Sequence, residues 1–238
     1  MAWQDAFNLI FGPGLFAGFK VGDLFRMLRD NHFAVRPRHV LRCLSAAGAS
    51  VGNSINNRIE QWMFCRRFLQ ETIPPVHSRA LEKRHDPSAQ PFSQDDRFAF
   101  PNLYQVLYPH SFLTTEAVIA RLMSFVAPPT RFGIDNVEIS WLAPYEDEFA
   151  IAAMSQLSPY VTMALPRRRL HYDRFLTFRD ASPEELTQWK AALTTFLKKL
   201  TWKYHRPLIL KSPAHTCRIR MLLEIFPDAK FVHIRRIG

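Results

Sequence analysis

Arg206 to Arg236 reads RPLILKSPAHTCRIRMLLEIFPDAKFVHIRR, and the rest of the chain is best read outward from it. Leu208-Ile209-Leu210 is a short apolar run of the kind a buried strand uses. Ile219, Leu222, Leu223 and Phe226 then recur at helical spacing, with Ser212 as an N-cap and Pro213 just inside. Pro227-Asp228 breaks that helix, and Lys230 to Ile234 (KFVHI) reads as a second buried strand. Strand, helix, strand at this length is a βαβ unit, which makes the two strands parallel. Parallel strands set their C-terminal ends on one edge, where open α/β sheets bind ligands. Lys211 closes the first strand and Arg235-Arg236 close the second, so cations converge there, as an anionic ligand requires.

The segment PLILKSPAHT-x-RIRMLLEIFPDAKFVHI-x-R resembles the bacterial sulfotransferase family. That family transfers a sulfuryl group from 3′-phosphoadenylyl sulfate (PAPS) to an acceptor hydroxyl. The resemblance resumes in FAFPNLYQVLYPHSFLTTE (Phe98 to Glu116) and in ISWLAPYEDEFAIAAMSQLSPY (Ile139 to Tyr160). It implies an α/β fold: a parallel sheet flanked by helices, like P-loop nucleoside triphosphate hydrolases. It also implies PAPS as co-substrate, no metal, and a hydroxyl acceptor that the sequence does not identify. The chain stops at Ile237-Gly238, where the family pattern continues, so the expected domain is incomplete at its C-terminus.

The length of 238 residues suits one α/β domain, and 47% hydrophobic residues are ample for its core. A net charge of +10 favours anionic partners: nucleotides, sulfated or phosphorylated acceptors, nucleic acid, or an acidic membrane surface. Charge does not choose among these, and nothing points to a specific nucleic acid. Cys43, Cys65 and Cys217 lack metal-ligand spacing and are expected as buried, reduced thiols. No stretch has the length and apolarity of a membrane span, and the N-terminus lacks the order of a signal peptide, so a cytoplasmic protein is expected.

Two regions are expected, an N-terminal amphipathic helical region over 1–70 and a partial α/β domain over 71–238. In the first, Phe16, Phe19, Val21, Leu24, Phe25 and Leu28 suit one helical face. Val40, Leu41, Leu44, Ile55, Ile59, Trp62 and Met63 suit another, accompanied by Arg36, Arg38, Arg42, Arg58, Arg66 and Arg67. Two readings stand: a helical hairpin packed on the sheet with a solvated basic face, or an interfacial helix in peripheral contact with acidic lipid.

Val76 to Phe92, VHSRALEKRHDPSAQPF, is charged and aperiodic, and taken alone it reads as a loop. In the resembled family a strand here runs into a glycine-rich loop close to FILGHWRSGTTLLHNLL. The backbone N–H groups of that loop hold the 5′-phosphosulfate. No glycine lies between Gly52 and Gly133, so the cradle is missing. Yet codons permitted for Val76 to Phe92, read from their second nucleotide, allow that family pattern residue for residue. Family-like sequence returns directly afterwards. A pair of compensating frameshifts accounts for both facts, and predicts an impaired copy.

Tyr145-Glu146-Asp147-Glu148-Phe149 is the second chemical candidate. Sulfuryl transfer needs a base for the acceptor hydroxyl, and a carboxylate with like-charged neighbours can serve. Glu146 and Glu148 are both candidates; the plain alternative is an acidic first helical turn stabilised by the macrodipole. By resemblance Lys211 stabilises the leaving nucleotide, Ser212 joins it in the nucleotide site, and Arg236 meets the 3′-phosphate. His215 is a candidate for orienting the acceptor or Lys211. Arg218 and Arg220 are read as a solvated helix face, and Arg167 to Arg169 as a solvated loop or an anion-binding patch. Ser182-Pro183-Glu184-Glu185 opens a helix with a capping box, a core stripe from Leu186 to Leu200, and Lys190, Lys198 and Lys199 facing water. The competing function is a non-catalytic basic module that binds anionic polymer or membrane through Arg36 to Arg67 and Arg167 to Arg169.

Overall fold

The computed structural model describes residues 18–33, 35, 37, 40–74, 76–81, 95–126, 130–131, 138–139 and 141–234. In chain order its elements begin with helices α1 (Val21–Asp30) and α2 (Val40–Leu69), then strand β1 (Val76–Leu81). Helices α3 (Leu103–Leu107) and α4 (Phe112–Val126) follow, then the two-residue strands β2 (Thr130–Arg131) and β3 (Glu138–Ile139). Helices α5 (Glu148–Ser155), α6 (Arg169–Asp173) and α7 (Pro183–Tyr204) lead to β4 (Leu208–Lys211), α8 (Ile219–Ile225) and β5 (Lys230–Ile234).

The principal sheet has the order β4-β1-β5, with both pairings parallel. The two strands expected from Leu208 to Ile234 are therefore present and parallel, but they do not touch. β1 lies between them, with Arg79 opposite Lys211 on one side and Leu81 opposite Ile234 on the other. This corrects the reading of Val76 to Leu81 as loop and agrees with the strand that the resemblance implies. Two parallel neighbours satisfy its backbone, and such long-range pairing outweighs local propensity. β4 is flanked on its other side by Ala99, whose carbonyl accepts from the Ile209 N–H at 2.8 Å. All three strand ends open on one edge, and the chain leaves β1 at its centre. Residues 82–92, which carry the expected phosphate loop, and Arg235 and Arg236 lie outside the described residues.

The core is built around α7. Trp189, Leu193, Phe196, Leu197 and Leu200 are fully buried, against Phe112, Phe175, Leu208 and Leu210 among others. Its start is the capping box expected from the sequence: the Glu185 N–H donates to Ser182 Oγ at 3.2 Å, and the Ser182 N–H to Glu185 Oε2 at 2.8 Å. His205, at a φ of 49°, ends the helix in the left-handed region and turns the chain toward β4. The expectation that Lys199 faces water is wrong. It is buried, forms an ion pair with Glu60 of α2, and donates to the Pro109 carbonyl. Helical spacing had placed it beside its exposed neighbours; a partner 139 positions away in the sequence draws it inward.

α2 reverses expectation more broadly. It packs on α7 and α4 around the buried Glu60 and Phe68 and a Phe64–Trp202 ring contact at 4.9 Å, and on α1 around the buried Ser50 and Asn53. The Glu60 carboxylate accepts from the Leu113 N–H at 2.8 Å, and Asn53 donates to the Phe19 carbonyl at 3.1 Å. Val40, Leu41, Leu44, Ile55, Ile59, Trp62 and Met63 are exposed, so the packed-hairpin reading fails for these residues. In α1, Leu24 joins Phe19 and Met27 in a small core against Ala153, whereas Val21 and Phe25 are exposed. Gly18 has a steric reason to be glycine, since a Cβ there would lie 1.8 Å from the Leu107 carbonyl oxygen. Cys43 and Cys65 are half-buried and Cys217 is exposed, all as free thiols, so the expectation of burial fails.

Candidate active site

The carboxylates of 146 to 148 sit where the chain enters α5, beneath the C-terminal edge of the sheet. Successive residues of a helical turn diverge by about 100°, and these three take three different partners. The Tyr160 hydroxyl donates to Glu146 Oε2 at 2.5 Å. Asp147 Oδ2 lies 2.8 Å from His215 Nε2. Glu148 is held by the Arg218 guanidinium, at 2.7 Å and 3.1 Å to its two oxygens, and by the Ser158 hydroxyl at 2.7 Å. Each of the three carboxylates thus has a partner of its own.

Glu148 and Arg218 are both shut off from solvent. Arg218 further donates to the Phe175 and Leu176 carbonyls, and its guanidinium lies over the rings of Phe178 and Trp189. Reading Arg218 as solvated is wrong; Arg220, its neighbour but one, does face water. α8 starts only at Ile219, because Pro213–Cys217 forms a separate 3-10 turn capped by Ser212. That shift of phase turns Arg218 inward. With every oxygen occupied and no access, Glu148 is a structural anchor that fixes α5 to the turn after β4.

Glu146 is in a different position. It is half-buried and accepts from the Tyr160 hydroxyl, and Ser212 lies close enough to act electrostatically on that phenol. Burial first, and then the charge of Glu146, push the Tyr160 phenol well above its ordinary range. Tyr160 therefore stays protonated and donates to the carboxylate at any physiological pH. Tyr145, Phe149 and Tyr160 stack in succession, with ring centroids 5.1 Å and 5.0 Å apart, which holds the phenol in place. Ser212 directly follows Lys211, the residue that ends β4. Lys211 is half-buried there.

His215 and Asp147 form a second buried pair beside this run. The other polar atom of each, His215 Nδ1 and Asp147 Oδ1, has no hydrogen-bond partner among the described residues. The structure thus sets Glu146 on Tyr160 near Ser212, pairs His215 with Asp147, places Lys211 at the end of β4, sets Glu148 apart as an anchor, and leaves Arg236 outside the described residues. Sequence reasoning missed Asp147, Tyr160, Ser158 and Arg218. Of these only Ser158, directly before Pro159, carried a local signal, and it does cap the next 3-10 turn. Arg167 and Arg169 are exposed, Arg169 being paired with Asp173 at 3.0 Å, and neither reaches the site.

Known proteins resemble this chain over most of its length. The model of the sulfotransferase family matches residues 139–238, from just before the carboxylate segment to the end of the chain. Two curated relatives, both omega-hydroxy-beta-dihydromenaquinone-9 sulfotransferases, come from Mycobacterium bovis and Mycobacterium tuberculosis. Each is 40% identical over 229 residues, which is 93% of this chain and 58% of the relative. The chain thus spans a little over half the length of the relatives it matches. Among solved structures, a sulfotransferase from Mycobacterium avium superposes with a TM-score of 0.58 at 17% identity, over 90% of this chain and 56% of that one. That likeness speaks for the fold alone.

Proposed function

We propose that this chain, which belongs to the sulfotransferase family, carries the acceptor-activating and leaving-group half of a sulfuryl-transfer site, with PAPS as donor. One observation carries the proposal: Glu146, held by the Tyr160 hydroxyl, lies by Ser212, the residue next to Lys211 at the C-terminal end of a parallel strand. In this reading Glu146 is the base and Lys211 the cation of one site. The three-stranded parallel order and the exit of β1 at the centre of that edge also support a fold of the P-loop nucleotide-binding type.

In this reading, the acceptor oxygen forms a bond to sulfur as the bond between sulfur and the bridging phosphate oxygen breaks. The acceptor's proton passes to Glu146, and the electron pair leaves with 3′,5′-ADP. Lys211 is positioned to meet the charge that develops on that bridging oxygen. Tyr160 holds Glu146 in orientation. The Asp147–His215 pair fixes the imidazole, whose Nδ1 is buried without a hydrogen-bond partner among the described residues. Arg236 is assigned to the 3′-phosphate by resemblance.

The relatives' names specify an ω-hydroxyl on a dihydromenaquinone. For this chain we accordingly propose a primary hydroxyl on an apolar acceptor. Without glycine in 76–92, backbone N–H groups cannot approach the 5′-phosphosulfate as the family loop does, so donor affinity should be low. The test is transfer of labelled sulfate from PAPS to hydroxylated quinones, using the chain as given and one with 76–92 restored to the neighbouring reading frame. Transfer by the restored chain, lost in Lys211→Ala and Glu146→Gln, supports the reading. A restored chain that binds PAPS but transfers equally well without either side chain overturns it.

A further inference from the structure

α2 is amphipathic in the inverted sense. Its buried side carries Ser50, Asn53 and Glu60, while its solvent side carries Leu44, Val51, Ile55, Ile59 and Trp62. At 100° per residue, these five fall within an arc of about 80°, and Arg58 and Arg66 lie in or beside the same arc. Trp62 is 87% exposed and Leu44 64%. Ordinary folding would not leave such a stripe in water along a helix of 30 residues, about 45 Å long.

We infer that this face of α2 docks on the surface of an anionic phospholipid membrane, lying in its plane. Charge chooses the occupant. Glu60 is the helix's sole carboxylate and is buried, so the exposed side offers arginines (Arg58, Arg66 and Arg67) with no acid among them. A second copy of the chain would set these cations against their own kind, with no carboxylate in α2 to receive them. Lipid phosphates receive them while acyl chains take up the apolar stripe. Trp62 suits the headgroup boundary, where an indole keeps its N–H wet and its rings dry. No helix among the described residues is long and apolar enough to cross a membrane, which agrees with a helix lying on the surface. The inference stands on α2 alone and does not depend on the chemistry proposed for Glu146 and Lys211.

The experiment is co-sedimentation of the whole chain with vesicles of phosphatidylcholine alone, or mixed with phosphatidylglycerol, at low and high salt. Sedimentation velocity and thermal melts of each variant accompany it. We expect binding to the anionic vesicles, with Arg58→Gln and Arg66→Gln each lowering the partition coefficient about fivefold, and Trp62→Ser or Ile55→Ser lowering it about tenfold or more. Melting temperatures should not change. Absence of binding to phosphatidylglycerol vesicles overturns the proposal, as does binding that these substitutions leave intact. A dimer that Ile55→Ser dissociates would assign the face to a second copy instead. A lowered melting temperature in Trp62→Ser would mean that the face packs within the chain.

Discussion

The Arg218 guanidinium grips both oxygens of Glu148, at 2.7 Å and 3.1 Å, with neither side chain reachable by water. The pair ties the start of α5 to the start of α8, the two elements that carry the carboxylate segment and follow the Lys211 strand. A buried pair of this kind costs desolvation, and its Coulomb attraction offsets that only while both members are present. Its role is to fix position: it sets the turn after β4 against the acidic turn.

Removing one member should therefore cost about 3–5 kcal/mol of folding stability. We expect Arg218→Ala to lower the urea midpoint markedly and to leave Glu148 uncompensated. Glu148→Gln should cost less, because the amide can still accept from Ser158 and Arg218. The measurement is equilibrium unfolding of both single variants and the double. A Glu148→Gln variant with native stability but turnover lowered a hundredfold would make Glu148 the base and contradict the anchor role.

Lys211 and Glu146 should behave in the opposite way. Neither is fully buried. In a chain with a restored phosphate loop, Lys211→Ala should lower kcat on the order of 100-fold, and Glu146→Gln similarly. Folding stability should change by less than about 1 kcal/mol. Tyr160→Phe should give a smaller loss, since it removes only the bond that orients the carboxylate. Single-turnover rates beside urea melts separate these outcomes. Loss of stability in step with loss of rate would indicate a structural role.

Local signals in the sequence were reliable wherever a residue's partner lay within a turn or two. The capping box of Ser182 and Glu185, the core stripe of α7 and the two strands around KSPAHT were legible for that reason. What was not legible depends on distant partners. Arg218 and Lys199 read as solvated because their carboxylates lie 70 and 139 positions away. β1 has no apolar alternation; it is a strand because β4 and β5 pair with it from both sides. In the site, the presence of three carboxylates was evident, but their separate partners depend on how Tyr160, His215 and Arg218 are brought in by other elements.

His110 gives a pH signature. It is buried near Lys20 and Lys199, with its Nε2 3.8 Å from Asp23; burial first and then those two cations hold its pKa well below 6.5. Its unfolded form binds a proton that the folded form refuses, so its contribution is present above pH 6.5 and is lost as pH falls below it. The slope is at most about 1.4 kcal/mol per pH unit. The Asp23 carboxyl, raised by burial, acts with the opposite sign in a window that begins near 3.8. We expect the melting temperature to fall between pH 7 and pH 5, and His110→Gln to flatten that fall. An unchanged slope in the variant would contradict the assignment.

The Glu60–Lys199 pair offers the last test, because it holds α2 to the core helix α7. Burial raises the Glu60 carboxyl and lowers the Lys199 amine, each partly countered by the other's charge. A raised carboxyl contributes stability that is present below 4.5 and is lost as pH rises through its folded value. A lowered amine contributes stability that is present above 10.5 and is lost as pH falls through its folded value. Near neutral pH both groups are thus charged at a cost, which fits a pair that fixes where α2 lies while adding little net stability. Lys199→Met alone should cost about 3–5 kcal/mol, since Glu60 is left buried and unpaired. Combining it with Glu60→Met should recover most of that loss. The recovery should be short of full, because the Pro109 carbonyl and the Leu113 N–H lose their partners. Equilibrium unfolding of the two single variants and the double measures the coupling. Additive losses would show that the two residues act independently, and that α2 is held to the core by Asn53, Phe64 and Phe68 rather than by its ion pair.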